Sequence, residues 1–217
     1  MNLLYPLVLS IARTAVRICY RYSVYGIENF ISGPALLCPN HASFLDPIIV
    51  SVSCPEPIHF LGKGALFNFS PFGWFIKSLN CHPLAKGKEN LEGLKTVFRI
   101  LGDNGKIFMA PEGTRTKDGE LQTPLEGVGY IVLKSRCPVI PIYVDGTYRV
   151  WGRDRKYPKI GGNISCVFGE TLYFDQYFES REKSDRAHIA RDIMTAIAGI
   201  KTQFLKEQQK NLPPNHD

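Results

Sequence analysis

The sequence predicts an α/β fold with a single mixed or mostly parallel sheet covered by helices. Three observations carry this. Apolar runs of strand length (Ala35–Cys38, Ile58–Leu61, Lys106–Ala110, Val139–Val144) alternate with longer stretches of helical periodicity, such as Asn90–Asp103 and Lys183–Gln208. The 217 residues are 44% hydrophobic, enough for one well-packed core, and no internal repeat or linker marks a second. Six scattered cysteines, with no Cys-x-x-Cys pair, argue against a disulfide framework or zinc site and fit a reducing compartment.

The first element is a helix from Met1 to about Tyr22. Leu3, Leu4, Leu7, Val8, Ile11, Ala15 and Ile18 give it an apolar body, and Arg13, Arg17 and Arg21 recur on one face. Its uncharged stretch, Leu3–Ala12, is too short to span ~30 Å of hydrocarbon. It also lacks the basic start and cleavage site of a signal peptide. An apolar helix edged with arginine suits the interface of an anionic leaflet, although the same pattern fits a helix packed on a core. We therefore divide the chain into an amphipathic, membrane-associating segment, 1–22, and one domain, 23–217. The net charge of +6 favours an anionic partner such as a lipid surface or phosphorylated substrate. Nucleic acid is not expected, because no recognition motif or basic stripe of that kind is present.

Val24–Asn29 reads as a strand and turn. The run Ala35–Cys38 then delivers Pro39-Asn40-His41-Ala42-Ser43-Phe44-Leu45-Asp46-Pro47. Pro47 suits the first turn of a helix and Asp46 its cap, so His41 lies in the preceding loop, where the carboxylate folds back to it. An imidazole held by a carboxylate has a fixed tautomer and a second nitrogen ready to take a proton. After a short helix to Val52, Ile58–Leu61 is the next buried strand, and His59, alternating with apolar neighbours, is a satisfied structural histidine. Lys63 opens an aromatic segment with Leu66, Phe67, Phe69, Phe72, Trp74, Phe75 and Ile76. Its Pro71-Phe72-Gly73-Trp74 reads as a turn that exposes rings for lipid chains or the interface.

Asn90–Asp103 is an amphipathic helix whose buried face is Leu91, Leu94, Val97, Phe98 and Leu101, ended by Asn104-Gly105. The following strand runs into Pro111-Glu112-Gly113-Thr114-Arg115. Gly113 permits backbone geometry closed to other residues, so amides and the Arg115 fork can approach an anion. Gly127–Arg136 is a helix. In Val139–Val144, Pro141 marks a sheet edge or a deliberate irregularity. Arg149–Lys159 is a basic loop, and Asn163–Phe168 and Thr171–Phe174 are strands. The last helix carries Ile189, Ile193, Ile197, Ile200 and Phe204 at helical spacing.

Asn40-His41 with Asp46, Lys63-Gly64-Ala65-Leu66-Phe67, Pro71-Phe72-Gly73-Trp74, Pro111 to Arg115, and Val139-Ile140-Pro141-Ile142 together resemble the glycerolipid acyltransferase family, in its bacterial 1-acylglycerol-3-phosphate acyltransferase branch. The resemblance covers about Val24 to Val144. It implies acyl transfer from acyl-CoA or acyl carrier protein to lysophosphatidic acid, with His41 as base, Asp46 as its orienter, and no cofactor or metal. It further implies an acceptor site of Lys63, Lys86, Glu112, Gly113, Thr114 and Arg115, with Glu112 orienting Arg115 or the acceptor. Two departures stand out: Lys86 where the family usually has arginine, and Ala110 where phenylalanine is common. They leave another lysolipid acceptor open, such as a lysophospholipid or lyso-ornithine lipid; a non-enzymatic lipid-binding adaptor would have no need of the His–Asp pair. The expected location is the cytoplasmic face of the cell membrane, peripheral or monotopic.

Overall fold

The computed structural model describes residues 4–84, 90–179, 182 and 184–210. Seven strands form one sheet: β1 (Arg21–Tyr25), β2 (Ala35–Pro39), β3 (Ile58–Lys63), β4 (Cys81–Leu84), β5 (Lys106–Phe108), β6 (Val139–Asp145) and β7 (Asn163–Phe168). Their order is β1-β7-β6-β2-β5-β3-β4, and every pair is parallel except β6 with β7. Helices cover both faces, which is why the central strand β2 is apolar without alternation and wholly buried. On one face α1 (Leu4–Cys19) and α2 (Asp46–Ser53) pack over Leu37, Phe108 and Ile140. On the other, α4 (Asn90–Gly102), α5 (Gly127–Ser135) and α7 (Asp185–Lys210) pack over Leu36, Ile107 and Val139. Two further helices, α3 (Ser70–Ser78) and α6 (Thr147–Trp151), flank the carboxyl ends of β3 and β6.

Several elements differ from expectation for identifiable reasons. The first helix stops at Cys19, and Arg21 begins β1, paired with Asn163, so it does not share a helical face with Arg13 and Arg17. A boundary at residue 22 thus falls inside a strand. Arg13 points inward: its Nε and Nη2 donate to the carbonyls of Val52 and Cys54 at the end of α2, where a cation meets free carbonyls. Tyr5 and Val16 are buried, and no helix among the described residues is long and apolar enough to cross a membrane.

Pro71-Phe72-Gly73-Trp74 is the first turn of α3 rather than an isolated turn, since proline is pre-set for a helical start. Gly73 lets the helix lie against Phe67, whose carbonyl a side chain there would meet. Leu91 is exposed, and Ile100 takes its place in the buried face of α4. Pro141 lies in the sheet interior. There the ladder to β7 stops at Ile142–Phe168 and resumes only at a single bridge, Val139–Leu172, so the missing amide falls in the gap. That bridge is all that forms of the expected strand Thr171–Phe174. The segment read as a basic loop starts as α6, with Arg149 paired to Asp145 at 2.6 Å.

Candidate active site

The site forms where three strands end. β2, β5 and β6 are adjacent and mutually parallel, so the segments after Pro39, Phe108 and Asp145 emerge on one edge of the sheet, as ligand-binding loops of open α/β sheets do. Asn40 fixes the first of these segments. Its side chain accepts from the Val144 amide at 2.7 Å and donates to the Val144 carbonyl at 3.1 Å.

His41 and Asp46 meet. His41 Nδ1 lies 2.9 Å from Asp46 Oδ2, and that oxygen also accepts the amides of Ala42 and Ser43, each at 2.7 Å. Asp46 is fully buried and is the first residue of α2, so it binds the loop before the helix rather than capping it. Its other oxygen accepts the buried Thr147 hydroxyl at 2.6 Å. With donors on both oxygens the carboxylate acts as acceptor only, so His41 Nδ1 carries the proton toward it. In the neutral imidazole this tautomer leaves the second nitrogen, Nε2, as the hydrogen-bond acceptor.

Glu112 is buried and does not pair with Arg115. Its Oε1 accepts the His41 amide at 3.1 Å and its Oε2 accepts Gln122 Nε2 at 2.6 Å. This corrects the expectation that Glu112 orients Arg115: its carboxylate braces the histidine loop instead. Burial pushes its carboxyl upward, opposed by the hydrogen bonds from Gln122 and His41. The Thr116 amide donates to the His41 carbonyl at 2.8 Å, joining the two loops again. Gly113 has φ +68, as expected, and a side chain there would also run into Leu125.

Arg115 lies flat on Phe44, its Cζ 3.4 Å from the ring centroid, and its Nη1 is buried with no hydrogen-bond partner among the described residues. Burial, with Arg153 nearby, lowers its affinity for the proton. Phe44 in turn packs on Trp151. Thr114 is exposed and gives its carbonyl to Gln122. Lys63 is exposed at the end of β3, and no hydrogen bond or ion pair among the described residues joins it to Glu112 or Arg115. Lys86 lies outside the described residues. Among those residues no group of three or more His, Cys, Asp or Glu side chains is placed to hold a metal ion.

His41 also lines an apolar cleft of about 480 Å³, walled by Leu9 of α1, Ile48 of α2, Phe60 of β3, Phe75 and Ile76 of α3, and Phe108. Thr147, Ser43, Phe44, Gln122 and Trp151 are the residues the sequence reading missed as parts of the site. For Thr147 a signal existed: Asp145-Gly146 directly after an apolar strand marks a tight turn. Gly146 adopts φ +84 there and sends the chain back toward Asp46.

Comparison with known proteins gives a consistent picture. The Acyltransferase family profile matches residues 21–145. The chloroplastic 1-acyl-sn-glycerol-3-phosphate acyltransferase BAT2 of Brassica napus is 31% identical over 158 residues, covering 71% of this chain and 46% of its own. The chain thus spans less than half the length of that relative. A 1-acyl-sn-glycerol-3-phosphate acyltransferase of Bacillus subtilis is 25% identical over 194 residues, covering 87% of this chain and 88% of its own. The crystal structure of the 1-acyl-sn-glycerophosphate acyltransferase PlsC from Thermotoga maritima superposes with a TM-score of 0.76 over 97% of this chain and 81% of that one. At 19% identity this shows a shared fold.

Proposed function

The chain belongs to the acyltransferase family, and from that premise we infer that it moves a fatty acyl group from acyl-CoA or acyl carrier protein to the free hydroxyl of 1-acylglycerol 3-phosphate, giving phosphatidic acid. The observation that carries this reading is the 2.9 Å contact of His41 Nδ1 with Asp46 Oδ2 on the wall of an apolar cleft. A lipid hydroxyl is a poor nucleophile until a base takes its proton, and His41 Nε2 is that base. The oxygen attacks the thioester carbonyl carbon and a tetrahedral oxyanion forms. Its collapse breaks the carbon–sulfur bond, and the imidazolium returns the proton to the departing thiolate. One ester and one thiol result, with no acyl-enzyme, because the acceptor supplies the nucleophile.

Arg115 holds the acceptor phosphate, with Lys63 and Lys86 as further cations, and Gly113 and Thr114 form the backbone floor. The apolar cleft takes an acyl chain; its volume lies in the ~300–1,000 Å³ range of small-molecule sites. α1 and α3 wall this cleft and carry exposed apolar side chains (Leu7, Ile11, Ile18, Phe72, Trp74), which supports association with a lipid surface; we propose the cytoplasmic face of the cell membrane as that surface. Turnover of radiolabelled acyl-CoA across a panel of lysolipid acceptors tests the assignment. Preference for 1-acylglycerol 3-phosphate, abolished in His41→Ala, is the expected result. Equal use of a dephosphorylated monoacylglycerol would refute the acceptor.

A further inference from the structure

We propose that Arg153 is a second arginine of the anion site, which with Arg115 selects a phosphomonoester headgroup over a phosphodiester; this rests on the acyl-transfer reading above. Arg115 carries the first part of the argument. Its ring-stacked guanidinium has a buried Nη1 without a hydrogen-bond partner among the described residues, and no carboxylate pairs with it there. A charged donor in that state is a place for an anion, since buried donors are otherwise satisfied.

Arg153 stands beside it, its Nη1 donating to the Arg115 carbonyl at 3.4 Å. The two guanidiniums are close enough for Arg153 to disfavour the charge on Arg115. Like charges held together store unfavourable energy, which a shared anion relieves. Among the described residues no ion pair engages Arg153, whereas Arg149 of the same stretch is taken up by Asp145 at 2.6 Å.

Nor is Arg153 carried on a free loop. Gly152 forms a bridge with Ser43, the Ser43 hydroxyl donates to the Trp151 carbonyl at 2.7 Å, and the Trp151 ring lies 5.1 Å from that of Phe44. Those contacts fasten the backbone under Arg153 to the His41–Asp46 turn. The backbone that carries Arg153 is therefore set beside Arg115, within reach of a headgroup bound there.

The chemistry follows from counting oxygens and charge. One guanidinium fork binds two oxygens of a phosphate. A phosphomonoester has a third free oxygen and carries about −1.5 to −2 charge near neutral pH, so a second cation adds to its binding. A phosphodiester has two free oxygens and one charge, both met by Arg115.

The test uses the full-length protein with 1-acylglycerol 3-phosphate and its glycerophosphoglycerol diester counterpart as acceptors. Arg153→Gln should raise KM for the monoester about tenfold, the scale of one charge-assisted hydrogen bond. It should leave kcat and the diester KM within about twofold, and Arg153→Lys should recover part of the loss. Equal effects on both acceptors, or none on either, would overturn the proposal. Wild-type preference for the monoester with an unchanged Arg153→Gln sinks Arg153 alone, whereas turnover of neither acceptor by the wild type sinks acyl transfer. In that case calorimetry with a short-chain 1-acylglycerol 3-phosphate decides: a monoester-to-diester affinity ratio that falls in Arg153→Gln upholds the site, and an unchanged ratio refutes it.

Discussion

Thr147 donates its hydroxyl to Asp46 Oδ1 at 2.6 Å across 101 positions of sequence, and both residues are fully buried. Asp46 thereby accepts from four donors: this hydroxyl, the His41 ring and the amides of Ala42 and Ser43. A carboxylate so surrounded has one orientation, and it passes that orientation to the imidazole. Replacing Thr147 by Val keeps the shape and removes one donor, leaving part of a buried carboxylate unsatisfied at a cost of about 1–3 kcal/mol. We expect lower thermal stability and a kcat reduced about tenfold with KM for either substrate little changed, because neither substrate touches Thr147. Thr147→Ser should restore both. A kcat equal to wild type in a folded Thr147→Val would show that His41 is positioned without it.

His41→Ala should reduce turnover by about 10²–10⁴, the usual worth of a general base. Binding of the acceptor should persist, since the phosphate contacts proposed here lie on other residues. Asp46→Asn keeps an oxygen for the two loop amides and turns its NH2 to the Thr147 hydroxyl, but it removes the negative charge beside the His41 ring, so it should lower rate with little change in acceptor affinity. Single-turnover kinetics with saturating acyl-CoA separates the chemical step from binding. A wild-type rate in His41→Ala would refute the mechanism.

The pairing of His41 with Asp46 was legible in the sequence because it spans five residues closed by a proline, so the chain itself confines the two groups. The strand β2 was legible because burial on both faces leaves it wholly apolar, and β6 nearly so, while β3 and β5 show as short apolar runs despite His59 and Lys106. What escaped depends on distant contacts. Trp151 reaches Ser43 across 108 positions, and nothing around Trp151 signals that partner. Glu112 stands three residues before Arg115 in the motif, which suggests that it orients that arginine, yet tertiary contacts turn it to the His41 amide and Gln122. The four-residue spacing of Arg21 from Arg17 is helical, and pairing with β7 overrides that local pattern.

If the apolar cleft holds the donor chain, its length should be set by the side chains along it. Ile76 of α3 lines the cleft together with Phe75 and Leu79. Enlarging it in Ile76→Trp should narrow the space and move the optimum of kcat/KM toward shorter acyl-CoA donors. The His41–Asp46 pair lies on other elements, so the rate with the best short donor should stay near wild type. Chain-length profiles that coincide for the two proteins would place the donor chain elsewhere.

Membrane association should depend on the exposed apolar groups of α1 and α3 rather than on Arg13, which is engaged with the α2 carbonyls. Ile11 and Trp74 are about two-thirds exposed, and each would contribute on the order of 1.5–3 kcal/mol if fully inserted. Ile11→Asp with Trp74→Asp should therefore abolish flotation with anionic vesicles. Arg17→Gln, worth about 1 kcal/mol near an anionic surface, should weaken it and reduce its salt sensitivity. Arg13→Gln should instead lower the melting temperature. Unchanged flotation in the double aspartate variant would exclude this face as the lipid contact.

The last prediction concerns His59 and His82, which stack at the β3–β4 edge with Nδ1 of one 3.0 Å from Nε2 of the other. One ring must donate and the other accept, so the bond requires at least one neutral ring. Burial, then the nearby His82 and Arg99, pushes His59 down to about 4, and burial with Arg99 also lowers His82. The sign follows from proton counting. Unfolded histidine titrates near 6.5, so below that pH the unfolded chain binds protons that the folded pair refuses, and stability falls as pH falls. The loss begins near pH 6.5 and levels off for His59 near 4, below which both states are protonated. His59→Gln removes this contribution while keeping a polar group at the strand edge. Denaturant midpoints measured from pH 7 to pH 4 should fall more steeply for wild type than for His59→Gln. Carboxylates common to both proteins cancel in the difference, so a difference that does not change with pH would show that the pair is not titrating in this window.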